Sequence, residues 1–317
     1  MRGGPPERAP HGPPKRLQPV NCTRAIRTVA SAPPRGLVLL GDPVAQSMSP
    51  AFQNAALAHA NLTVRYERRN VPAEHLDEAL AACRAHDIAG NVTIPHKEAM
   101  AGRAAHLSAR ARRSGAVNTF WWDGGMLVGH NTDVDGVLAT IAALRPAGVR
   151  GPVVVLGSGG SAAAVLVALA ELGLSEVHLV ARSPARAAAL GQRIGAAATV
   201  HPFASDAPEP MVSAREVLAG ASLVINATPT GMQDVQQPVP VAWLGSRTAV
   251  FDLVYRREGT AWVHAARARG LPAEDGLRML IEQGAAAFEA WFDQPAPRAV
   301  MWAALGLEMP APDRVRG

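Results

Sequence analysis

The chain has 317 residues, 48% of them hydrophobic, which is enough to bury a sizeable core and to divide between two domains. Its 31 Lys and Arg against 26 Asp and Glu leave a surplus of +5 that comes largely from the first 36 residues, so the charge balance is no nucleic-acid signal. Two cysteines, Cys22 and Cys83, exclude a disulfide framework or a zinc site, no metal is expected, and a reducing cytoplasm fits this usage.

Residues 1–35, rich in Pro and Arg and nearly free of acids, predict a disordered leader. They lack the apolar run of a secretory signal, and their prolines argue against the amphipathic helix of a transit peptide. Order is expected from Gly36, where GLVLLG reads as a short strand. SPAFQNAALAHANL follows as a helix with Ser49 as N-cap and Pro50 at the first helical position. TVRYERRNV then reads as a strand, EHLDEALAACRAHD as a helix and AGNVTIP as a strand running to Pro95. Strands alternating with helices predict an α/β fold with a mostly parallel sheet.

From Gly151 the alternation resumes: strand VVVLG, a helix from Ser161, strand EVHLVAR, helix SPARAAALGQRI, then strands ASLVINAT and TAVFDLVY. Residues 153–174 are apolar and long enough to suggest a membrane span, but their glycine cluster after a β-branched run predicts a buried strand, a tight turn and a helix. A long helix starting near Gly276 is more than such a unit needs and is expected to pack back on the first domain.

Gly157, Ser158, Gly159, Gly160 and Ser161 lie between a predicted strand and helix, the context of a pyrophosphate-binding loop. Glycines let the backbone approach phosphates, and the helix start offers unpaired N–H groups. Tight packing alone would use the same residues. At the end of the next strand, where an acid would bind a ribose 2′-hydroxyl, stand Ala181, Arg182, Ser183 and Arg186. Two guanidiniums here suit a 2′-phosphate, so NADP is the expected cofactor; solvated surface arginines are the bland alternative.

GDPVAQSMSP, GNVTIPHK, SGAVNT, GHNTDVDG, GSGGSA, ARSPAR, INATPTGM, DLVY and GLRMLIEQGAAAFEAW, in this order and spacing, resemble the shikimate dehydrogenase family from about residue 36 to 305. The resemblance implies an N-terminal α/β substrate-binding catalytic domain over 36–135, completed by 277–312, and a Rossmann-type NADP-binding domain over 136–276. It implies reversible NADPH-dependent reduction of 3-dehydroshikimate to shikimate. Lys97 and Asp133 match the family's catalytic pair. Ser47 and Ser49 match holders of the substrate carboxylate, Thr93, Asn118, Asp133 and Gln283 match ligands of the ring hydroxyls, and Asn91 and Tyr255 lie nearby. Leu253 and Gly276 match the nicotinamide lining, with Asn226, Ala227 and Thr228 in the loop beside it.

The chain departs from the family pattern at Gln46, where a histidine is usual, at Arg256, where proline or a polar residue is usual, and at Ala181, where an asparagine often stands. Taken without the resemblance, Ser49 reads as a helix cap, Asp133 as an N-cap and Lys97 as a solvated lysine. His96, beside Lys97, is the default proton carrier at neutral pH; alternation after the proline points its side chain away from its neighbour's and makes it a bystander. A quinate or aminoshikimate dehydrogenase on the same scaffold is the rival enzyme. A nucleotide-binding regulatory paralogue is the rival non-enzyme, and its mark would be loss of Lys97 or Asp133. No nucleic acid or membrane partner is expected, and either a monomer or a homodimer fits.

Overall fold

In a computed structural model of the chain, which describes residues 30–145, 147–203 and 208–309, the apolar run GLVLLG forms β1 (Gly36–Gly41), an inner strand of a first sheet. Around it stand β2 (Tyr66–Asn70), β3 (Ile88–Val92), β4 (His106–Leu107), β5 (Thr119–Asp123) and β6 (Met126–His130), in the order β2-β1-β3-β5-β6-β4. The helices between them are α1 (Ser49–His59), α2 (Leu76–Ala85), α3 (Lys97–Arg103) and α4 (Ala109–Ser114). Most of the predicted leader, residues 1–29, lies outside the described residues. Its last residues are tied to the fold through the backbone: Ala30 donates its N–H to the Ala290 carbonyl and Arg35 to that of Asp87.

β1 pairs in parallel with β2 and β3, as the strand–helix alternation predicts. β5 runs antiparallel to both β3 and β6, which the alternation did not foretell. The reason is local. TFWWD and MLVGH are joined through Gly124 and Gly125 with φ of 55° and 76°, a two-residue hairpin whose backbone needs positive φ at both positions.

α5 (Asp133–Leu144) carries the chain to a second sheet, made of β7 (Val153–Leu156), β8 (Val177–Ala181), β9 (Ala198–Pro202), β10 (Leu223–Asn226), β11 (Ala249–Asp252) and β12 (Ala273–Glu274). Every pairing here is parallel, in the order β12-β11-β10-β7-β8-β9, with α6 (Gly160–Glu171), α7 (Pro184–Ile194), α8 (Pro208–Gly220) and α9 (Ala261–Ala268) as connections. Strands covered on both faces read as unbroken apolar runs, and VVVL, LVIN and AVFD are fully buried. The strand order reverses between β7 and β10, and ligands bind such sheets at the carboxyl ends flanking that reversal.

The long C-terminal helix, α10 (Leu277–Phe292), and α11 (Arg298–Ala303) return to the first sheet. Phe288, Trp291, Met301 and Trp302 are buried there with Leu37, Leu39 and Phe52 in one apolar cluster. The 153–174 stretch divides into β7, a turn and α6, and no helix of the described residues is long and apolar enough to cross a membrane.

Candidate active site

β3 ends at Val92, short of the expected Pro95, because the next four residues turn. Thr93 still donates its N–H to the Leu40 carbonyl, and His96 N–H closes on Thr93 O at 2.8 Å, so that Lys97 becomes the first residue of α3. This turn separates the two adjacent side chains. The His96 ring is buried, with Nε2 2.6 Å from the Val71 carbonyl, an acceptor that requires the proton on that nitrogen. Lys97 Nζ instead donates to Asp133 Oδ2 at 2.7 Å, with both side chains largely shielded from solvent.

Asp133 is the first residue of α5 and makes no capping bond; Thr132 holds the cap position. The Asp133 carboxylate faces inward, where Asn118 Nδ2 donates to Oδ1 at 2.9 Å. The same amide reaches Gln283 Oε1 at 3.2 Å, and Gln283 Nε2 is held by the Leu280 carbonyl. Lys97, Asp133, Asn118 and Gln283, from α3, α5, β5's leading edge and α10, thus form one connected polar chain. Thr119 and Thr132 complete it by donating to Asn118 Oδ1. Neither threonine stood out in the sequence, although both lie inside the matched runs SGAVNT and GHNTDVDG.

Asn91 acts within this frame. Its Nδ2 donates to the Asn118 carbonyl and to Thr119 Oγ1, and its Oδ1 accepts from the Tyr66 hydroxyl at 2.8 Å. Tyr66, which the sequence did not single out, is buried, and desolvation holds its hydroxyl well above the usual tyrosine range. Its oxygen lies within hydrogen-bond reach of Ser49. Ser49 is not the cap expected of it: α1 starts at Ser49 with Met48 before it and no side-chain capping bond. Its N–H meets Ser47 Oγ at 3.3 Å, and the Tyr255 hydroxyl, pushed up by burial, also bonds Ser47. Hydroxyls of Ser47, Ser49, Tyr66 and Tyr255 therefore converge. Gln46 is exposed beside them, and Thr93 is half-buried at the β3 end.

At the switch point of the second sheet, Gly157 follows β7 with φ 112°, and a Cβ built there would stand 3.1 Å from both Ala227 O and Thr228 Cγ2. Glycine satisfies the backbone angle and the close approach together. α6 begins at Gly160, one residue before the expected Ser161, with Gly159 at the cap position and no side chain bonded to its first N–H groups. Ser158 and Ser161 are partly exposed around this end. Lys97 lies against it, for a Cβ on Gly160 would be 3.4 Å from Lys97 Cβ.

Asn226, which ends β10, donates to Asp252 Oδ1 at 2.8 Å and accepts from Thr228 N and Oγ1, fixing the loop beside Gly157. Leu253 and Gly276 touch so closely that a Cβ on Gly276 would be 2.2 Å from the Leu253 carbonyl. Arg256 Nη1 donates to the Asp234 carbonyl at 2.6 Å, so this departure ties down the chain after Thr228. β8 ends at Ala181; Arg182 is exposed, Ser183 Oγ caps α7 at Arg186 N, and the exposed Arg186 guanidinium meets Glu98. Uncapped helix N–H groups, a glycine that admits close backbone approach, and arginines without an acid at the β8 end fit an adenine dinucleotide bearing a 2′-phosphate. Among the described residues no group of His, Cys, Asp and Glu could hold a metal ion.

Residues 39–120 match the shikimate dehydrogenase substrate binding domain, and residues 276–305 the shikimate 5′-dehydrogenase C-terminal domain. The NADP(+) shikimate dehydrogenase of Symbiobacterium thermophilum is 40% identical over 282 residues, covering 87% of this chain and 95% of that protein. That of Rubrobacter xylanophilus is 42% identical over 261 residues, 80% of this chain and 89% of its own. The Thermus thermophilus shikimate 5-dehydrogenase, solved in complex with NADP(H) and shikimate, superimposes with a TM-score of 0.75 at 36% identity over 86% of this chain and 98% of that one. With such likeness running through both sheets and the returning helices, this chain belongs to the shikimate dehydrogenase family.

Proposed function

We propose that this chain catalyses the reversible, NADPH-dependent reduction of 3-dehydroshikimate to shikimate. The observation that carries the reading is the 2.7 Å contact of Lys97 with Asp133, at the mouth of the polar chain through Asn118 and Gln283 and against the Gly160 end of the dinucleotide loop. When bound, NADPH supplies the hydride. The ketone oxygen then gains negative charge, which a positioned acid must stabilise and protonate. Lys97 does both, and in the oxidation direction it takes the proton back.

Asp133 orients the ammonium and accepts from a ring hydroxyl, while Asn118, Gln283 and Thr93 hold the remaining hydroxyls with mixed donors and acceptors. Ser47 and Ser49, with Tyr255 beside them, donate to the substrate carboxylate. Asn91 donates to the Asn118 carbonyl and to Thr119 Oγ1 and serves as the brace that positions them. For the cofactor, Gly157, Ser158, Gly159, Gly160 and Ser161 take the pyrophosphate, and Ala181, Arg182, Ser183 and Arg186 the adenosine ribose and its phosphate. Asn226, Ala227, Thr228, Leu253 and Gly276 line the nicotinamide. Residues 36–135 with 277–309 form the substrate unit and 136–276 the cofactor unit; 310–312, the rest of the expected completion, lie outside the described residues. Two cysteines in the chain, too few for a disulfide framework, support placement in a reducing cytoplasm.

The test is oxidation of shikimate by the purified protein with NADP+, followed as NADPH absorbance, and repeated with NAD+ and with quinate. Faster turnover of shikimate with NADP+ than of any other pair is expected. Faster quinate oxidation would move the assignment to the rival substrate, and sedimentation of the same sample separates monomer from homodimer.

A further inference from the structure

Glu98 follows Lys97 in the first turn of α3, yet the two side chains leave in different directions: Lys97 turns to Asp133 and Glu98 crosses to the second sheet's side. There both of its carboxylate oxygens take Arg186 Nη2, at 2.9 and 3.1 Å. We propose that Glu98 is a specificity-determining residue, an internal anion that competes with the ribose 2′-phosphate for the Arg186 guanidinium and so restrains the preference for the phosphorylated dinucleotide. This rests on the reading above that Arg186 recognises that phosphate.

A carboxylate and a phosphate present similar oxygen acceptors to the planar guanidinium fork, so one guanidinium serves either readily and both together only against their mutual repulsion. The two side chains are 57% and 45% exposed, and an ion pair so open to water is weak. It yields to a phosphate dianion but subtracts from the net gain of binding one. A dinucleotide without the 2′-phosphate leaves the pair intact and feels no such subtraction.

The contact is separable from the hold of the two sheets on one another. α7 is tied to α4 by bonds to main-chain oxygens: Arg193 Nη2 to Ser114 O at 2.8 Å and Arg113 Nε to Ile194 O at 3.0 Å. Loss of the Glu98 carboxylate therefore removes the competitor and leaves α7 beside the first sheet.

Calorimetric dissociation constants test this directly, with NADP+, NAD+ and adenosine 2′,5′-bisphosphate as ligands of the full chain. E98Q should bind NADP+ and the bisphosphate about two- to fivefold more tightly, the size of a surface ion pair, and NAD+ unchanged. R186A should weaken the two phosphorylated ligands, and adding E98Q to R186A should change nothing further. Equal tightening of NADP+ and NAD+, an E98Q effect that persists in the R186A background, or no E98Q effect at all would each overturn the competition. If R186A weakens NADP+ while E98Q is silent, only this inference falls. If R186A leaves NADP+ affinity intact, the cofactor role of Arg186 falls and takes the inference with it.

Discussion

Lys97 and Asp133 are each the first residue of a helix, and their side chains meet at 2.7 Å between the two helix starts. The partial positive charge of a helix N-terminus suits Asp133 and opposes Lys97. A cation in the less favourable of these places is held there by the carboxylate opposite, which Asn118 in turn orients. Departures from local preference of this kind concentrate at functional sites. K97A should lower kcat by about 100-fold or more, the usual contribution of a positioned proton donor, while KM for shikimate moves less than about threefold. Steady-state kinetics in the oxidation direction decide it, and an unchanged kcat would remove Lys97 from the chemistry.

His96 tests the same turn from the other side. Its ring satisfies the Val71 carbonyl from a site 1% exposed, so it serves structure. H96F strands that buried acceptor and should cost about 1–3 kcal/mol of stability, read from urea unfolding. The pH–rate profile should keep its shape. A lost titration step in H96F would make the imidazole a participant after all.

The second sheet was legible because buried parallel strands announce themselves as apolar runs: VVVL, LVIN and AVFD fall where the sequence put them. β5 and β6 lie between the runs SGAVNT and GHNTDVDG, in FWWDGGMLV, where a reading for motifs passed over the Gly124–Gly125 turn. The site split along the same line. Lys97, Asp133, Asn118 and Gln283 were named singly, but the hydrogen bonds joining them span from 15 to 165 residues of chain, and no local pattern encodes such pairings. Tyr66 was missed because YERRN is an edge strand exposed at its other four positions, and the Trp291 ring that packs against Tyr66 lies far along the chain. The Ser49 cap failed because Ser49 is already the first residue of α1, with Met48 at the cap position and the Ser49 hydroxyl engaged with Tyr66.

Gly276 is a steric requirement. Its backbone φ of −75° suits any residue, so the only obstacle to a side chain is the Leu253 carbonyl, 2.2 Å from a built Cβ. Main-chain oxygen cannot swing aside as a side chain would. G276A should push β11's exit away from the start of α10, costing about 1–3 kcal/mol in urea unfolding and raising KM for NADP+ more than KM for shikimate. Equal stability and unchanged KM for the cofactor would show that the Leu253 contact does not shape the nicotinamide lining.

Two shielded groups, the buried Asp252 and the part-buried His130, make opposite predictions for acid stability. Asp252 accepts from Asn226, Thr260 and the Val254 N–H, but burial outweighs these bonds and pushes its carboxyl up from 3.8 to about 6. Between those values the native state holds a proton that the unfolded chain has released, so the Asp252 contribution grows as pH falls, by on the order of 3 kcal/mol across the window. His130, bonded to Ser108 Oγ, is pushed down from 6.5 to about 4 by burial and by the Arg110 guanidinium. There the unfolded chain takes a proton that the native ring refuses, and stability falls by a similar amount over nearly the same range. The two slopes offset in the native sequence and separate in variants. Relative to the parent protein, D252N should become costlier as pH drops from about 7 to 4.5, whereas H130A should become less costly. Urea unfolding at three pH values reads both, and a D252N penalty that shrinks on acidification would mean that the Asp252 carboxyl is not raised.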